Sequence, residues 1–207
     1  MHEAGQQTAR TPMVSQTDAT PRVSVIVPCR NEAAWIERCL ESIAANDFPK
    51  DQMELLVLDG MSTDGTRAII GQSAPKFPWM RLLDNPRKTA PAAMNIGIAA
   101  ARGKIVVRMD AHNEYPSDYI SKLVYWLEKS GADNVGGVSA VCPSNDTAAA
   151  KAIAFGCSHF LGVGNARYRI GVTKPTEVDT VPFGCYRREV FEKIGPFDEE
   201  LVRNQDD

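Results

Sequence analysis

The sequence predicts an α/β fold, in which an open, mostly parallel sheet carries helices on both faces. Short runs of β-branched and aliphatic residues, suited to buried strands, alternate with stretches whose apolar residues recur at helical spacing. The first seven of these segments follow the order βαβαβαβ, which is typical of a parallel sheet with crossover helices. Polar residues directly follow three of the strands, and in an open α/β sheet ligands bind at the carboxyl ends of the strands.

The amino-terminal half is predicted to supply four strands and three helices. Strands are expected at 23–27, 54–58, 80–83 and 105–108, and helices after residue 31, over 67–72 and over 92–102. Asn31 is expected to cap the first helix, because an Asn side chain can accept a hydrogen bond from an N–H of the first turn. Apolar residues at 36, 39, 40 and 43 then share one helix face.

The carboxyl-terminal half is less regular. Ser117 is expected to cap a helix that Gly131 ends. Strands are expected at 134–141 and 178–186, helices at 147–161 and 188–194, and a loop at 162–174. Residues 1–21 are polar, lack periodicity and are predicted to be disordered. One domain is therefore expected over 22–207, and because the chain stops at two carboxylates without a closing element, we expect this domain to be truncated.

Composition and charge exclude several classes of protein. The net charge of -3 argues against a nucleic-acid-binding protein, which usually has a basic surface. Five scattered cysteines without a C-x-x-C pair indicate reduced thiols rather than disulfides or a zinc site. No apolar run reaches the roughly 18 residues that span a bilayer, and no signal peptide is present. The chain is expected to be soluble and cytoplasmic, with membrane association only through segments outside it.

The polar residues after the strands should converge on one crevice. Asp110 and His112 are two positions apart, so both side chains point the same way, and together they form a possible divalent-cation site for a phosphorylated substrate. A plain polar turn is the alternative. Asp59 is placed to accept hydrogen bonds from a base or ribose, or to satisfy its own turn. Lys88, next to Arg87, is a candidate for neutralising a phosphate, unless it is simply solvated.

Several common catalytic and binding motifs are missing. No G-x-G-x-x-G follows the first strand, and no P-loop sequence occurs anywhere. The three histidines form no H-x-x-x-H pair, and no serine lies in a G-x-S-x-G sequence. The remaining interpretation is a crevice for a nucleotide and a cation, without a nucleophile of its own.

Five motifs together make the chain resemble a known family. They are VSVIVPCRNE at 23–32, DGMSTDGT at 59–66, N-x-G at 95–97, DAH at 110–112 and FGCYRREVF at 183–191. In this order and spacing they resemble family 2 glycosyltransferases of the GT-A fold, and within them the bacterial succinoglycan-type exopolysaccharide glucosyltransferases. The resemblance covers 22–207 and implies a GT-A-like, Rossmann-like sheet.

The resemblance implies roles for the residues that bind the donor. Asp59 matches the aspartate that contacts the nucleobase, and the residues expected beside the nucleoside are Pro28, Arg30 and Glu32. Lys88 and Asn95 are expected to complete the donor site. Asp110 matches the first carboxylate of the D-x-D motif, near the ribose and the metal.

Two further positions concern the metal and the base. His112 stands where the family has its second carboxylate and direct metal ligand, and imidazole suits Mn²⁺ better than Mg²⁺. Gln205-Asp206-Asp207 lies where the family has its E-D-x-D/E motif. Asp206 is then the general base, and Asp207 replaces it if the register shifts by one.

The function that the resemblance implies is sugar transfer with inversion. The expected donor is a UDP-sugar, with glucose as the sugar, and the expected acceptor is a hydroxyl of a lipid-linked glycan or polysaccharide. The setting is the cytoplasm, at the inner face of the plasma membrane for the full-length protein. Two alternatives remain, a non-catalytic nucleotide-sugar-binding module and a sugar nucleotidyltransferase. The latter would need a Gly-rich basic loop after the first strand, which residues 28–32 do not provide.

Overall fold

The computed structural model describes residues 20–201, and the strands within this range form one six-stranded sheet. Its strands are β1 (Val23–Cys29), β2 (Met53–Asp59), β3 (Met80–Asp84), β4 (Ile105–Arg108), β5 (Asn134–Val135) and β6 (Cys185–Arg187), in the order β3-β2-β1-β4-β6-β5. The first four strands are parallel, and β6 runs antiparallel to both of its neighbours. The predicted α/β fold with a mostly parallel sheet is confirmed.

Eight helices connect or follow these strands in the described part of the chain. They are α1 (Ile36–Ala44), α2 (Thr66–Ser73), α3 (Ala90–Ala100), α4 (Tyr119–Ser130), α5 (Ala148–Ser158), α6 (Phe160–Val163), α7 (Arg167–Ile170) and α8 (Arg188–Ile194). Short 3₁₀ turns occupy Lys50–Gln52 and Ala74–Lys76. None of the helices within residues 20–201 is long and apolar enough to cross a bilayer.

The core lies on both faces of the sheet because alternate residues of each strand point to opposite sides. Val25 and Val27 of β1 pack in one apolar cluster with the buried faces of α1 and α4. Ile26, between them, packs on the other face with Met94 of α3. Each such fully buried aliphatic side chain stabilises the fold by about 1.5–3 kcal/mol. The central strands are therefore rigid supports for whatever follows them.

Gly97 allows α3 to lie unusually close to the sheet. A Cβ atom at this position would lie 2.7 Å from Cγ2 of Ile26, closer than real Cβ contacts. The N-x-G motif thus has a packing explanation, because the glycine fixes the height of α3 above β1.

Several element boundaries differ from the sequence prediction. The strands predicted at 134–141 and 178–186 shrink to two and three residues. The helix predicted over 147–161 ends at Ser158, and the predicted loop after it contains α7. The chain between these two short strands forms α5, α6, α7 and loops instead of longer strands.

The two predicted helix caps are wrong. Asn31 has a positive φ of 56° and α1 begins only at Ile36, because the Asn31 side chain accepts a hydrogen bond from the Thr63 N–H instead. The helix after Ser117 has Asp118 at its N-cap position, without a side-chain capping bond. Gly131 ends that helix in the left-handed conformation, as predicted.

Candidate active site

A crevice of about 200 Å³ opens at the carboxyl ends of β1 and β4. Its lining includes six residues singled out from the sequence: Pro28, Arg30, Glu32, Lys88, Asp110 and His112. Strand register explains the convergence, because Cys29 at the end of β1 pairs with Asp59 at the end of β2, which in turn pairs with Asp84 of β3. The loops that follow these strands therefore start at one edge of the sheet.

The two loops after β1 and β2 are tied together by hydrogen bonds. The Asn31 N–H donates to Ser62 Oγ at 2.9 Å, and the Glu32 N–H donates to Thr66 Oγ1 at 2.7 Å. Asp64 accepts from the Ala33 N–H at 3.0 Å. The hydrogen bond from the Thr66 hydroxyl, followed by the one from Ala33, lowers the pKa of Asp64. The hydrogen bonds to segment 59–66 thus fix the loop that carries Arg30 and Glu32 at the crevice.

Asp59 lies beneath the crevice rather than on its surface. Its side chain is fully buried, accepts from the Ser62 N–H and forms an ion pair of 2.8 Å with Arg67. Arg67 also pairs with Asp84 at 2.6 Å, and its hydrogen bonds to these two carboxylates raise its pKa. Burial, and then the charge of Asp59, raises the pKa of the neighbouring Cys29 thiol to about 12. Asp59 is therefore already paired with Arg67 and is not among the residues that line the crevice.

Asp110 is held by an arginine that the sequence analysis did not single out. Arg108 Nε donates to Asp110 Oδ1 at 3.0 Å, and a second guanidinium nitrogen lies 3.4 Å from Oδ2. Both side chains are nearly buried, with exposed fractions of 9% and 14%. The Arg108 guanidinium also lies 5.9 Å from the ring centre of Phe183. A charged residue that ends an otherwise apolar buried strand was the sequence signal for this role.

His112 pairs with Glu32, which comes from the loop after β1. His112 Nδ1 lies 3.4 Å from Glu32 Oε1, and the histidine side chain is 55% exposed. Within residues 20–201, no three His, Cys, Asp or Glu side chains are grouped as a ready-made metal site. A cation that also binds substrate phosphates needs only one or two protein ligands. Asp110 and His112, which line one crevice, fit a site of that kind.

The basic loop between β3 and α3 forms another wall. Lys88 has a positive φ of 63°, and its N–H donates to the Asn85 carbonyl at 3.1 Å. Asn85 is buried, and its side-chain nitrogen donates to the Thr89 carbonyl at 2.9 Å. This turn fixes Lys88 at the crevice edge.

Asn95 does not line the crevice. Its amide accepts from the Phe197 N–H at 2.8 Å and donates to the Phe197 carbonyl and to Glu199, each at 2.9 Å. Glu199 also forms a hydrogen-bonded ion pair with Arg87. Asn95 therefore joins α3 to the chain around residues 197–199. The predicted base, Asp206, and its replacement, Asp207, lie outside the described residues.

The parallel strands and the crevice at their carboxyl ends have the architecture of glycosyltransferase domains of the GT-A fold, as the similarity to two solved structures shows. Among solved structures, the mannosyltransferase PcManGT from Pyrobaculum calidifontis, in complex with GDP-Man and Mn²⁺, is similar with a TM-score of 0.68 and 28% identity; the match covers 92% of this chain and 50% of that one. S. aureus TarS 1-349 in complex with UDP shares the fold with a TM-score of 0.65, at 22% identity over 89% of this chain and 52% of that one.

The chain belongs to glycosyl transferase family 2, whose family model matches residues 24–195. It is similar to the succinoglycan biosynthesis protein ExoA of Rhizobium meliloti, with 34% identity over 88% of this chain and 54% of that protein. It is also similar to the glycosyltransferase AglE of Haloferax volcanii, with 30% identity over 92% of this chain and 60% of that protein. The chain thus spans little more than half the length of these relatives.

Proposed function

We propose that this domain transfers glucose from UDP-glucose, with inversion, to a hydroxyl of a lipid-linked glycan or growing polysaccharide. The observation that carries the proposal is the crevice itself, which brings Asp110, His112 and Lys88 together with Arg30 and Glu32 at the carboxyl edge of the sheet. A carboxylate, an imidazole and basic groups side by side suit a nucleoside diphosphate accompanied by a cation. The proposed setting is the cytoplasmic face of the plasma membrane.

The similar proteins support a nucleotide-sugar donor. PcManGT, at 28% identity, is described in complex with GDP-Man and Mn²⁺. The choice of uridine and glucose rests on the resemblance to succinoglycan-type enzymes and on the similarity to ExoA. In the proposed donor site, Pro28, Arg30 and Glu32 flank the nucleoside. Asp59 contacts the nucleobase only when its ion pair with Arg67 opens. Asn95 holds α3 in place and does not touch the donor.

Asp110 and His112 are the proposed ligands of a divalent cation, Mn²⁺ rather than Mg²⁺. Such a cation would supply positive charge to the leaving diphosphate. Lys88, at the crevice edge, is proposed to neutralise part of the same charge. Arg108 holds the Asp110 carboxylate in place from below, so that the carboxylate does not have to be ordered when the donor binds.

Transfer requires a base, and we propose Asp206 for that role, or Asp207 if the motif register shifts by one. The base removes a proton from the acceptor hydroxyl while the hydroxyl oxygen forms a bond to the anomeric carbon. The bond between that carbon and the diphosphate oxygen breaks, and the pair of electrons leaves with UDP. The proposed mechanism uses no enzyme nucleophile.

The test measures UDP release from UDP-glucose with a lipid-linked acceptor, using the full-length protein. We expect turnover in the native protein and a loss of about 100-fold or more in Asp206→Asn, because general-base catalysis contributes roughly that factor. Asp133→Asn is the matched control, since Asp133 is an exposed carboxylate outside the crevice. Equal turnover of native protein and Asp206→Asn would exclude Asp206 as the base. UDP binding without turnover on any acceptor would instead favour a non-catalytic binding module.

A further inference from the structure

A cluster of exposed apolar and basic side chains covers α5, α6 and the segment after them. This apolar-basic surface consists of Ile153, Phe155, Phe160, Leu161, Arg167 and Lys174. Phe155 is 66% exposed and Leu161 is 80% exposed, although both are large apolar residues. Soluble monomers rarely group such side chains at their surface unless the surface binds a partner or a membrane.

The large apolar side chains of this surface do not pack on the core. Only Ala150 and Ala154 of α5 are buried, so the helix contacts the protein through its smallest side chains. The His159 ring lies 5.1 Å from the Phe155 ring and 4.8 Å from the Phe160 ring, so the three rings form a row in which the two phenylalanines are exposed and His159 is half-buried. The large apolar side chains of α5 and α6 thus point outward, and their apolar area is free to contact a partner or a membrane.

The charge of this region is opposite to that of the rest of the chain. Residues 147–176 contain four of the 23 Lys and Arg residues and none of the 26 Asp and Glu residues, whereas the whole chain carries a net charge of -3. Basic residues next to exposed aromatic and aliphatic side chains are the composition of segments that lie in the headgroup region of anionic membranes. A neutral partner surface would not require this asymmetry, whereas the phosphate groups of an anionic bilayer complement it.

Strand topology places both ends of the segment that carries this surface beside the crevice. Val135, at the end of β5, and Cys185, at the start of β6, are paired, and Cys185 also pairs with Val107 near the end of β4. The segment between them therefore leaves and re-enters the sheet at the edge where the crevice opens. Phe183, at its returning end, lies against the crevice residue Arg108.

We propose that the apolar-basic surface docks this domain onto a bilayer containing anionic phospholipids. The aromatic row and Leu161 enter the headgroup region, while Arg167 and Lys174 contact phosphate groups. This proposal departs from the expectation that membrane contact comes only from segments outside this chain. Docking in this orientation holds the crevice close to the lipid surface, where a lipid-linked acceptor would be found, although docking itself needs neither donor nor turnover.

The experiment measures partition of the 1–207 chain into vesicles by flotation. One set of vesicles is pure phosphatidylcholine and the other contains phosphatidylglycerol as well. We expect binding to the anionic vesicles, weakened by high salt because salt screens the basic residues. Leu161→Gln should reduce partition about tenfold, the loss expected for one large apolar side chain. Arg167→Gln should reduce it about fivefold, and only with anionic vesicles.

Matched controls come from α8, which starts at the opposite edge of the sheet, where Arg187 pairs with Ile105. Ile194 is 77% exposed and Lys193 is also exposed, so Ile194→Gln and Lys193→Gln repeat both changes outside the proposed surface. These controls should leave partition unchanged. Thermal unfolding of every variant confirms that the fold is intact.

Three results would overturn the proposal. One is equal binding to neutral and anionic vesicles, and another is an equal loss in the α8 controls. The third is the absence of binding to anionic vesicles. If self-association that Leu161→Gln abolishes accompanies it, the surface is assigned to contacts between copies of the chain. Failure of sugar transfer alone would refute the proposed function and leave this inference standing, because partition is measured without substrate.

Discussion

Replacing Glu54 should destabilise the fold without weakening donor binding. Glu54 is 2% exposed, and its carboxylate accepts from Ser24 Oγ and from the Arg102 N–H, both at 2.7 Å. Arg102 Nε and Arg81 also donate to it, at 3.1 Å and 3.3 Å. Ser24 and Glu54 are paired at the amino ends of β1 and β2, Arg81 lies near the start of β3 and Arg102 just before β4, so the network lies at the opposite edge of the sheet from the crevice.

The magnitude follows from what Glu54→Ala leaves unpaired. The Ser24 hydroxyl is buried and the Arg102 N–H is partly buried, and each unpaired donor costs about 1–3 kcal/mol. The side chains of Arg81 and Arg102 are 37% and 47% exposed, so water can replace their lost partner at little cost. The free energy of unfolding should fall by about 3 kcal/mol, which lowers Tm by roughly 6–12 °C in a domain of this size.

Thermal unfolding measures the change, and Glu128→Ala is the matched control. Glu128 also pairs with an arginine, Arg22, but the two side chains are 49% and 44% exposed. An exposed pair contributes at most about 1 kcal/mol, so the control should shift Tm only slightly. Equal shifts for the two variants would refute the claim that burial of the Glu54 network determines its contribution. A fall in UDP affinity for Glu54→Ala at a temperature where it is folded would refute the separation of this network from the crevice.

Three further predictions concern the site and the thiols. Glu199→Gln should lower kcat several-fold with little change in KM for the donor. The reason is that Glu199 joins Asn95 to the part of the chain that leads to the proposed base. The control is Glu192→Gln, which changes an exposed residue of α8 and should leave kcat unaltered. His112→Asp should raise turnover with Mg²⁺ relative to Mn²⁺ roughly tenfold, since a carboxylate suits the harder cation, and an unchanged ratio would remove His112 from the metal site. Burial raises the pKa of Cys29 to about 12, so this thiol stays protonated at pH 8 and should not react with a thiol reagent, whereas the exposed Cys142 should; rapid labelling of Cys29 in folded protein would contradict its burial.

The sheet and its helices were predictable because their sequence patterns are strong. The apolar runs around Val25 and Leu56 can only be buried, and the spacing of buried residues in α1 matches one helix face. The region after Gly131 was predicted poorly for a physical reason. Its residues 136–184 form short helices and loops and no strand of the sheet, so periodicity over a few residues does not fix where the elements begin and end.

The candidate site could be located from the sequence, but its internal contacts could not. The βα pattern predicts a parallel sheet whose strand ends converge, whereas the strand order and register that bring Arg30, Lys88 and Asp110 together are seen only in the structure. The ion pair between Arg67 and the buried Asp59, and the hold of Arg108 on Asp110, depend on side-chain packing that no spacing rule contains. Asn95 shows the same limit, because its partners lie about one hundred residues further along the chain.

Residues 136–184 leave and re-enter the sheet at two paired positions, and this affects how readily the length of this segment can change. Because β5 and β6 are neighbours joined at Val135 and Cys185, the positions where this excursion starts and ends are set by the sheet alone. Lengthening a chain segment between two fixed points costs little free energy, since the entropy of closure grows only logarithmically. Insertions, deletions and whole replacements in this excursion can therefore leave the four parallel strands in register. The chain that borders the crevice can change while the crevice itself is kept.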